Sequence, residues 1–258
     1  MKNLRYFNNI TSKNLLRHVL LGLVVLSTSL AFTSNASAQG ERASSPGDFD
    51  YYLLVLSWSP TYCETQGHGT NDRQCSGARP FSFVLHGLWP QYEQNGWPEM
   101  CRTEERPWVP QNIIDGMLDI MPSPRLVIQE YRKHGACSGM DPRGYFDAAR
   151  TLFKSIQIPD RFKDPSEPIS ISPGEVQRVF LEANPQLQPG MIEVGCSRNR
   201  LRDIRICFSK DLKPRACGKS ELSRKLCYSG NLTLPPVRSG GYGERGGPSE
   251  YQRRPDRI

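Results

Sequence analysis

The chain has 258 residues, 37% of them hydrophobic and 23% charged, and a formal net charge of +7. Removing Lys2, Arg5, Lys13 and Arg17, which lead an apolar N-terminal stretch, leaves +3, and the tail after Val237 holds a further +2, so the body between is near neutral. That excludes a domain that binds nucleic acid by bulk charge; any such affinity has to come from a local basic groove with aromatic platforms.

Val19 to Phe32 is apolar but short for a bilayer, and Ala36-Ser37-Ala38 follows as a small-residue cleavage pattern. Residues 1–38 therefore read as a signal peptide cut after Ala38, without a twin-arginine pair, and 39–47 as a short lead. All eight cysteines lie beyond this segment. An even count in an exported chain reads as disulfides, although eight cysteines allow 105 pairings and spacing alone does not choose among them.

Asp50 to Ser57 is rich in aromatic and branched residues and reads as a buried strand closed by a turn at Pro60. Cys63 to Pro80 reads as a loop, with His68 between two glycines as a solvated residue. Ser82 to Leu88 reads as a second strand, part of the run FVLHGLWP, which His86 interrupts and which Gly87 and Pro90 stop. Gln91 to Pro110 is a long irregular connection carrying Tyr92, Trp97 and Trp108, the last expected to cap the core.

Helices are expected at Pro110 to Ile120 and at Ser123 to Lys133, the second with Ser123 as cap and Pro124 in its first turn. Gly135 should end that second helix and leave His134 in its last turn, where the helix dipole favours imidazolium and raises the histidine's pKa slightly. Glu130, Lys133 and His134 then share one face at i, i+3 and i+4. A carboxylate, an ammonium and an imidazole so grouped suit phosphate chemistry, while an ordinary solvated helix face is the plain alternative. His86 and His134 are each followed by glycine, which lets backbone approach a ligand, and together they suggest an acid and base pair. A zinc site at His134 and Cys137 lacks a second ligand pair.

Further helices are expected at Arg143 to Lys154 and at Gly174 to Ala183 behind Ser172 and Pro173, with Val176, Val179 and Phe180 as the apolar stripe. Met191 to Gly195 and Leu201 to Ser209 resume strand character. Strands, helices, then strands again imply one α+β domain over 48–237, without internal repeats, and 238–258 as a flexible Gly and Arg-rich tail. No G-x-S-x-G elbow is present to support a serine hydrolase.

HGLWP followed by E-Y-x-K-H-G-x-C resembles the two active-site segments of the ribonuclease T2 family, and Trp58 to Cys63 with the late cysteine spacing resembles its bacterial members, over about Asp48 to Cys227. The resemblance implies a disulfide-stapled α+β fold with a central, mostly antiparallel sheet flanked by helices. It implies an exported, periplasmic or secreted endoribonuclease, monomeric and free of membrane once the signal is removed. Such an enzyme cuts single-stranded RNA but not DNA, through a 2′,3′-cyclic phosphate, without metal or cofactor. His134 would be the base and His86 the acid, with Lys133 and a hydrogen-bonding Glu130 stabilising the transition state. Trp89 would contact a base, and Gln91 stands where some relatives carry an acidic residue that helps select a purine. Gln129 replaces a histidine that in many members would contact phosphate. The implied disulfides are Cys63 with Cys75, Cys101 with Cys137, Cys196 with Cys227 and Cys207 with Cys217. A catalytically silent module of the same fold, binding RNA or a protein, is the alternative, and Gln129 is its support.

Overall fold

A computed structural model of the chain describes residues 44–66, 73–76, 79–224 and 226–238. The expected signal peptide, His68 and all of the tail beyond Arg238 lie outside these residues. Strand β1 (Tyr51–Trp58) is almost wholly apolar because it is buried on both faces of a sheet. Tyr52, Leu54, Leu56 and Trp58 point into the main core, while Tyr51, Leu53 and Val55 join Cys207 and Cys217 in a smaller cluster on the other face.

On one side β1 pairs antiparallel with β2 (Phe83–Gln91), and on the other with β5 (Arg200–Phe208). The strand β4 (Ile192–Ser197) pairs antiparallel with β5. A short parallel contact, Arg200 with Thr233, links β5 to β6 (Leu232–Leu234), which pairs antiparallel with β3 (Ile169–Ile171). The sheet is thus antiparallel apart from one junction.

β2 is an edge strand, so a proline without an N–H is tolerated and the strand runs through Pro90 instead of stopping at Leu88. Its register against β1 slips between Val55, opposite Gly87, and Leu56, opposite Leu85. His86 is the extra residue of that bulge, a device that re-aims a side chain.

Pro60 does not close β1 with a turn. The strand passes directly into α1 (Ser59–Gln66), whose first turn accepts proline because the missing N–H has no helical partner there. A second short helix, α2 (Arg73–Ser76), lies within the stretch expected to be loop, and the Cys63–Cys75 disulfide joins it to α1. After β2 come α3 (Gln111–Met117) and α4 (Pro124–Lys133), the latter capped by Ser123, whose hydroxyl accepts from the Leu126 N–H at 3.4 Å. α4 ends before Gly135 with His134 as its C-terminal cap, as expected, and a separate 3-10 turn follows over Gly135–Ser138, terminated by Gly139 at φ 78°. Helices α5 (Pro142–Ser155) and α6 (Pro173–Ala183) start at the caps Asp141 and Ser172. They place Ala149, Leu152, Val176 and Phe180 in the main core. The short α7 (Lys219–Leu222) precedes β6.

Trp108 is 66% exposed and caps nothing, whereas Tyr92 is buried in the core. No described helix is long and apolar enough to cross a membrane.

Three further disulfides join Cys101 to Cys137, Cys196 to Cys227 and Cys207 to Cys217. The first ties the connection after β2 to the turn after α4, beside a backbone bond from Met100 N–H to the Lys133 carbonyl at 2.9 Å. Because this bridge spans 36 residues, a Cys101→Ala, Cys137→Ala double variant should lose about 2 to 5 kcal/mol in urea unfolding. A loss below about 1 kcal/mol would mean that the Met100 contact and local packing already hold the two segments.

Candidate active site

The site is built where β2 meets α4. Glu130 is 5% exposed, and a buried carboxylate needs partners for its oxygens. Its Oε2 accepts the Trp89 indole N–H at 2.7 Å, and its Oε1 lies 3.5 Å from His86 Nε2. On the other edge of the His86 ring, Nδ1 is 2.9 Å from the Ser57 hydroxyl, which fixes the imidazole between β1 and α4. The His86 side chain keeps 39% of its surface exposed.

Glu130 can come this close because residue 87 is glycine: a Cβ there would lie 2.0 Å from Glu130 Oε2 and 2.7 Å from Trp89 Nε1. Likewise a Cβ at Gly135 would lie 2.4 Å from the Tyr131 ring. Both glycines thus admit the protein's own side chains, so the expectation that they open the backbone to a ligand is replaced by internal packing.

Trp89 joins the two histidines. His86 meets its ring edge-on at 5.3 Å, and His134 stacks on it at 5.0 Å with 24° between planes. The Arg205 guanidinium lies 5.5 Å from the same ring. Arg205 itself is buried, held by Asp203 at 3.0 Å and Glu221 at 2.8 Å. Sequence reasoning did not single out these three; the available signal was Asp203 and Arg205 set among the branched and aromatic residues of a strand that also carries Arg200 and Arg202.

His134 is 4% exposed, its backbone N–H donates to the Glu130 carbonyl at 2.9 Å, and its ring Nδ1 is buried with no hydrogen-bond partner among the described residues. Burial drives its pKa down to about 4, assisted by the Lys133 and His86 charges and opposed by Glu130 and Glu99. This reverses the slight rise expected from the helix terminus: desolvation of a nearly sealed imidazole outweighs a dipole effect of typically under about 1 kcal/mol. The ring is therefore neutral at physiological pH.

A cavity of about 870 Å³ opens beside this cluster, lined among others by Ser57, His86, Gln129, Glu130, Arg125 and Lys133. Lys133 is half exposed and paired with Glu99 at 3.2 Å, a surface contact worth little and easily exchanged for another anion. The structure thus brings His86, Glu130, Lys133 and Gln129 to one opening, with Trp89 packed against Glu130 and His86 and His134 stacked on Trp89. Gln91 is elsewhere: its side chain is 2% exposed and donates to the Pro90 carbonyl at 2.9 Å.

The Ribonuclease T2 family matches residues 49–217. A ribonuclease of Aeromonas hydrophila is 33% identical over 225 residues, covering 85% of this chain and 98% of its own. A probable ribonuclease of Haemophilus influenzae is 31% identical over 189 residues, covering 69% and 64%. Among solved structures, an RNase-related protein from Calystegia sepium superposes with a TM-score of 0.58 at 21% identity, over 72% of this chain and 97% of that one. RNase NT in complex with 5′-AMP does so at 0.52 and 23%, over 73% and 99%. These two likenesses concern the fold.

The depressed pKa of His134 has a stability consequence. Between about pH 6.5 and 4 an unfolded histidine binds a proton that the folded one refuses, so the unfolded state gains and stability falls as pH falls. In His134→Gln that loss is absent. From pH 7.5 to 4 the wild type should lose on the order of 3 kcal/mol relative to the variant, as 2.5 units at 1.36 kcal/mol each imply. A constant difference across that range would show that His134 titrates normally.

Proposed function

The chain belongs to the ribonuclease T2 family and is an endoribonuclease of that type, and from that premise we propose that it is exported and cuts single-stranded RNA by transphosphorylation. RNA carries its own nucleophile, the 2′-hydroxyl, so the reaction needs a base for that proton and an acid for the departing 5′-oxygen. The observation that carries this reading is two imidazoles held on one tryptophan beside a buried carboxylate, one of them neutral.

His134 is the base. Being neutral it can accept a proton, and an anionic phosphodiester bound beside it stabilises the imidazolium and so strengthens the base when substrate is present. His86, the more exposed ring, is the acid, oriented by Ser57 and Glu130. Lys133 leaves Glu99 for the phosphate as negative charge builds on the phosphorane-like transition state, and Glu130 fixes the geometry on the other side. Gln129, at the cavity wall, supplies an amide to a phosphate oxygen. Trp89 keeps the base-contact role suggested by the family only through whatever part of its ring the two histidines and Arg205 leave open.

The products are ends bearing 2′,3′-cyclic phosphates. Export rests on the N-terminal basic and apolar segment ending in Ala36-Ser37-Ala38, and the mature protein acts as a monomer outside the cytoplasm, on RNA and without a metal or cofactor.

Cleavage of a defined oligoribonucleotide should therefore persist in excess EDTA, while the same sequence as DNA, or with a 2′-O-methyl at the cleavage step, should survive. His86→Ala and His134→Ala should each lose about 10² to 10⁴-fold in rate while remaining folded. DNA cleavage by the homogeneous protein would contradict the mechanism, because deoxyribose offers no hydroxyl to activate. RNA retarded in a gel without being cut would instead identify a binding module.

A further inference from the structure

The walls of the cavity are not electrically balanced. Among the described residues that line it, Glu130 is the sole carboxylate against Arg125, Arg132 and Lys133, although the body of the protein is near neutral. Glu130 is already engaged with Trp89 and His86. The surplus positive charge is therefore local, and it faces the opening that leads to His86.

Two of the three cations have partners. Lys133 pairs with Glu99 at 3.2 Å, and the Arg132 Nε–H donates to the Pro107 carbonyl at 3.3 Å. Arg125 is exposed and makes neither an ion pair nor a hydrogen bond through its side chain with any described residue. It stands on α4 at four-residue intervals with Gln129 and Lys133, so the three form one stripe along the helix. Each interval advances about 6 Å along the axis, a span on the scale of one nucleotide. Gln129 and Lys133 flank Glu130 at the reacting centre, and Arg125 lies one step beyond them.

From this geometry we infer that Arg125 forms a second phosphate subsite, which grips the strand one or two nucleotides away from the bond that is cut. The ligand is a backbone phosphodiester of single-stranded RNA, bound by the guanidinium's paired N–H donors without regard to base. The inference rests on the ribonuclease reading above and adds to it a preference for chains over dinucleotides. Arg125 is a binding residue and takes no part in proton transfer.

Two substrates separate this subsite from the reacting centre: a ribodinucleoside monophosphate, which has only the scissile phosphate, and a hexanucleotide with one central ribose and 2′-O-methyl groups elsewhere. For Arg125→Gln, kcat/KM should fall about 10-fold or more on the hexanucleotide, as expected for a lost charge-assisted contact, and stay within about 2-fold on the dinucleotide. Arg125→Lys should recover most of the loss. The salt dependence of log KM for the hexanucleotide should become shallower by about 0.7, the value for one phosphate contact on a single strand. Equal loss on both substrates, or no loss on either, would overturn the subsite. If the wild type cuts neither substrate, the ribonuclease reading fails, and a fully 2′-O-methylated hexanucleotide then decides the subsite alone. Weaker, less salt-sensitive binding by Arg125→Gln supports it, and identical binding refutes it.

Discussion

A buried carboxylate that must be satisfied governs this structure. Glu130 is brought under the sheet edge by α4 and accepts the Trp89 N–H at 2.7 Å. Leaving that oxygen unpaired would cost about 1 to 3 kcal/mol or more, so the positions of the neighbouring groups follow from it. Residue 87 has to be glycine, because any Cβ would occupy the space of the Glu130 oxygen. The bulge at His86 then turns an imidazole toward the same carboxylate, and Trp89, held by its N–H, offers its ring to His134. One hydrogen bond thereby sets the spacing of two histidines that are 48 positions apart in sequence.

The tryptophan is supported from the sheet. Arg205 is 6% exposed and sits between Asp203 and Glu221, with its guanidinium against the indole. Burial alone would raise the Asp203 pKa, yet Arg205 and Arg202 hold it below the ordinary carboxylate range, so this aspartate stays charged. Buried ions of this kind contribute little net stability compared with an apolar core, and their value lies in direction. Here they place a permanent cation beside the ring that carries Glu130 and His134. The Cys101–Cys137 bridge and the 3-10 turn that follows His134 fix the same segment from the other end.

Much of this was legible in the sequence, for reasons that are local. Ser123 with Pro124, and Ser172 with Pro173, mark helix starts because capping chemistry depends on neighbours in the chain. The apolar run of β1 announces burial on both faces. What escaped depends on distant partners. Pro90 is compatible with β2 only because that strand is at an edge, which no local pattern reveals. The bulge at His86 is a matter of register between two strands, and β3 and β6, three residues each, are too short to show alternation. Trp108, expected to cap the core, is exposed, while Gln91 is buried on its own neighbour's carbonyl. The protonation of His134 was misjudged for the same reason: helix position is written in the sequence, but the packing of Trp89 over the ring is not.

The proposed mechanism depends on His134 being a neutral imidazole at the pH where RNA is cut, and an NMR titration of the histidine ring protons reads that state directly. With the His134 resonance assigned by comparison with His134→Gln, its chemical shift should titrate with a midpoint of about pH 4, well below the ordinary histidine value of 6.5. A midpoint at or above 6.5 would contradict the account, because burial would then not be what holds the ring neutral.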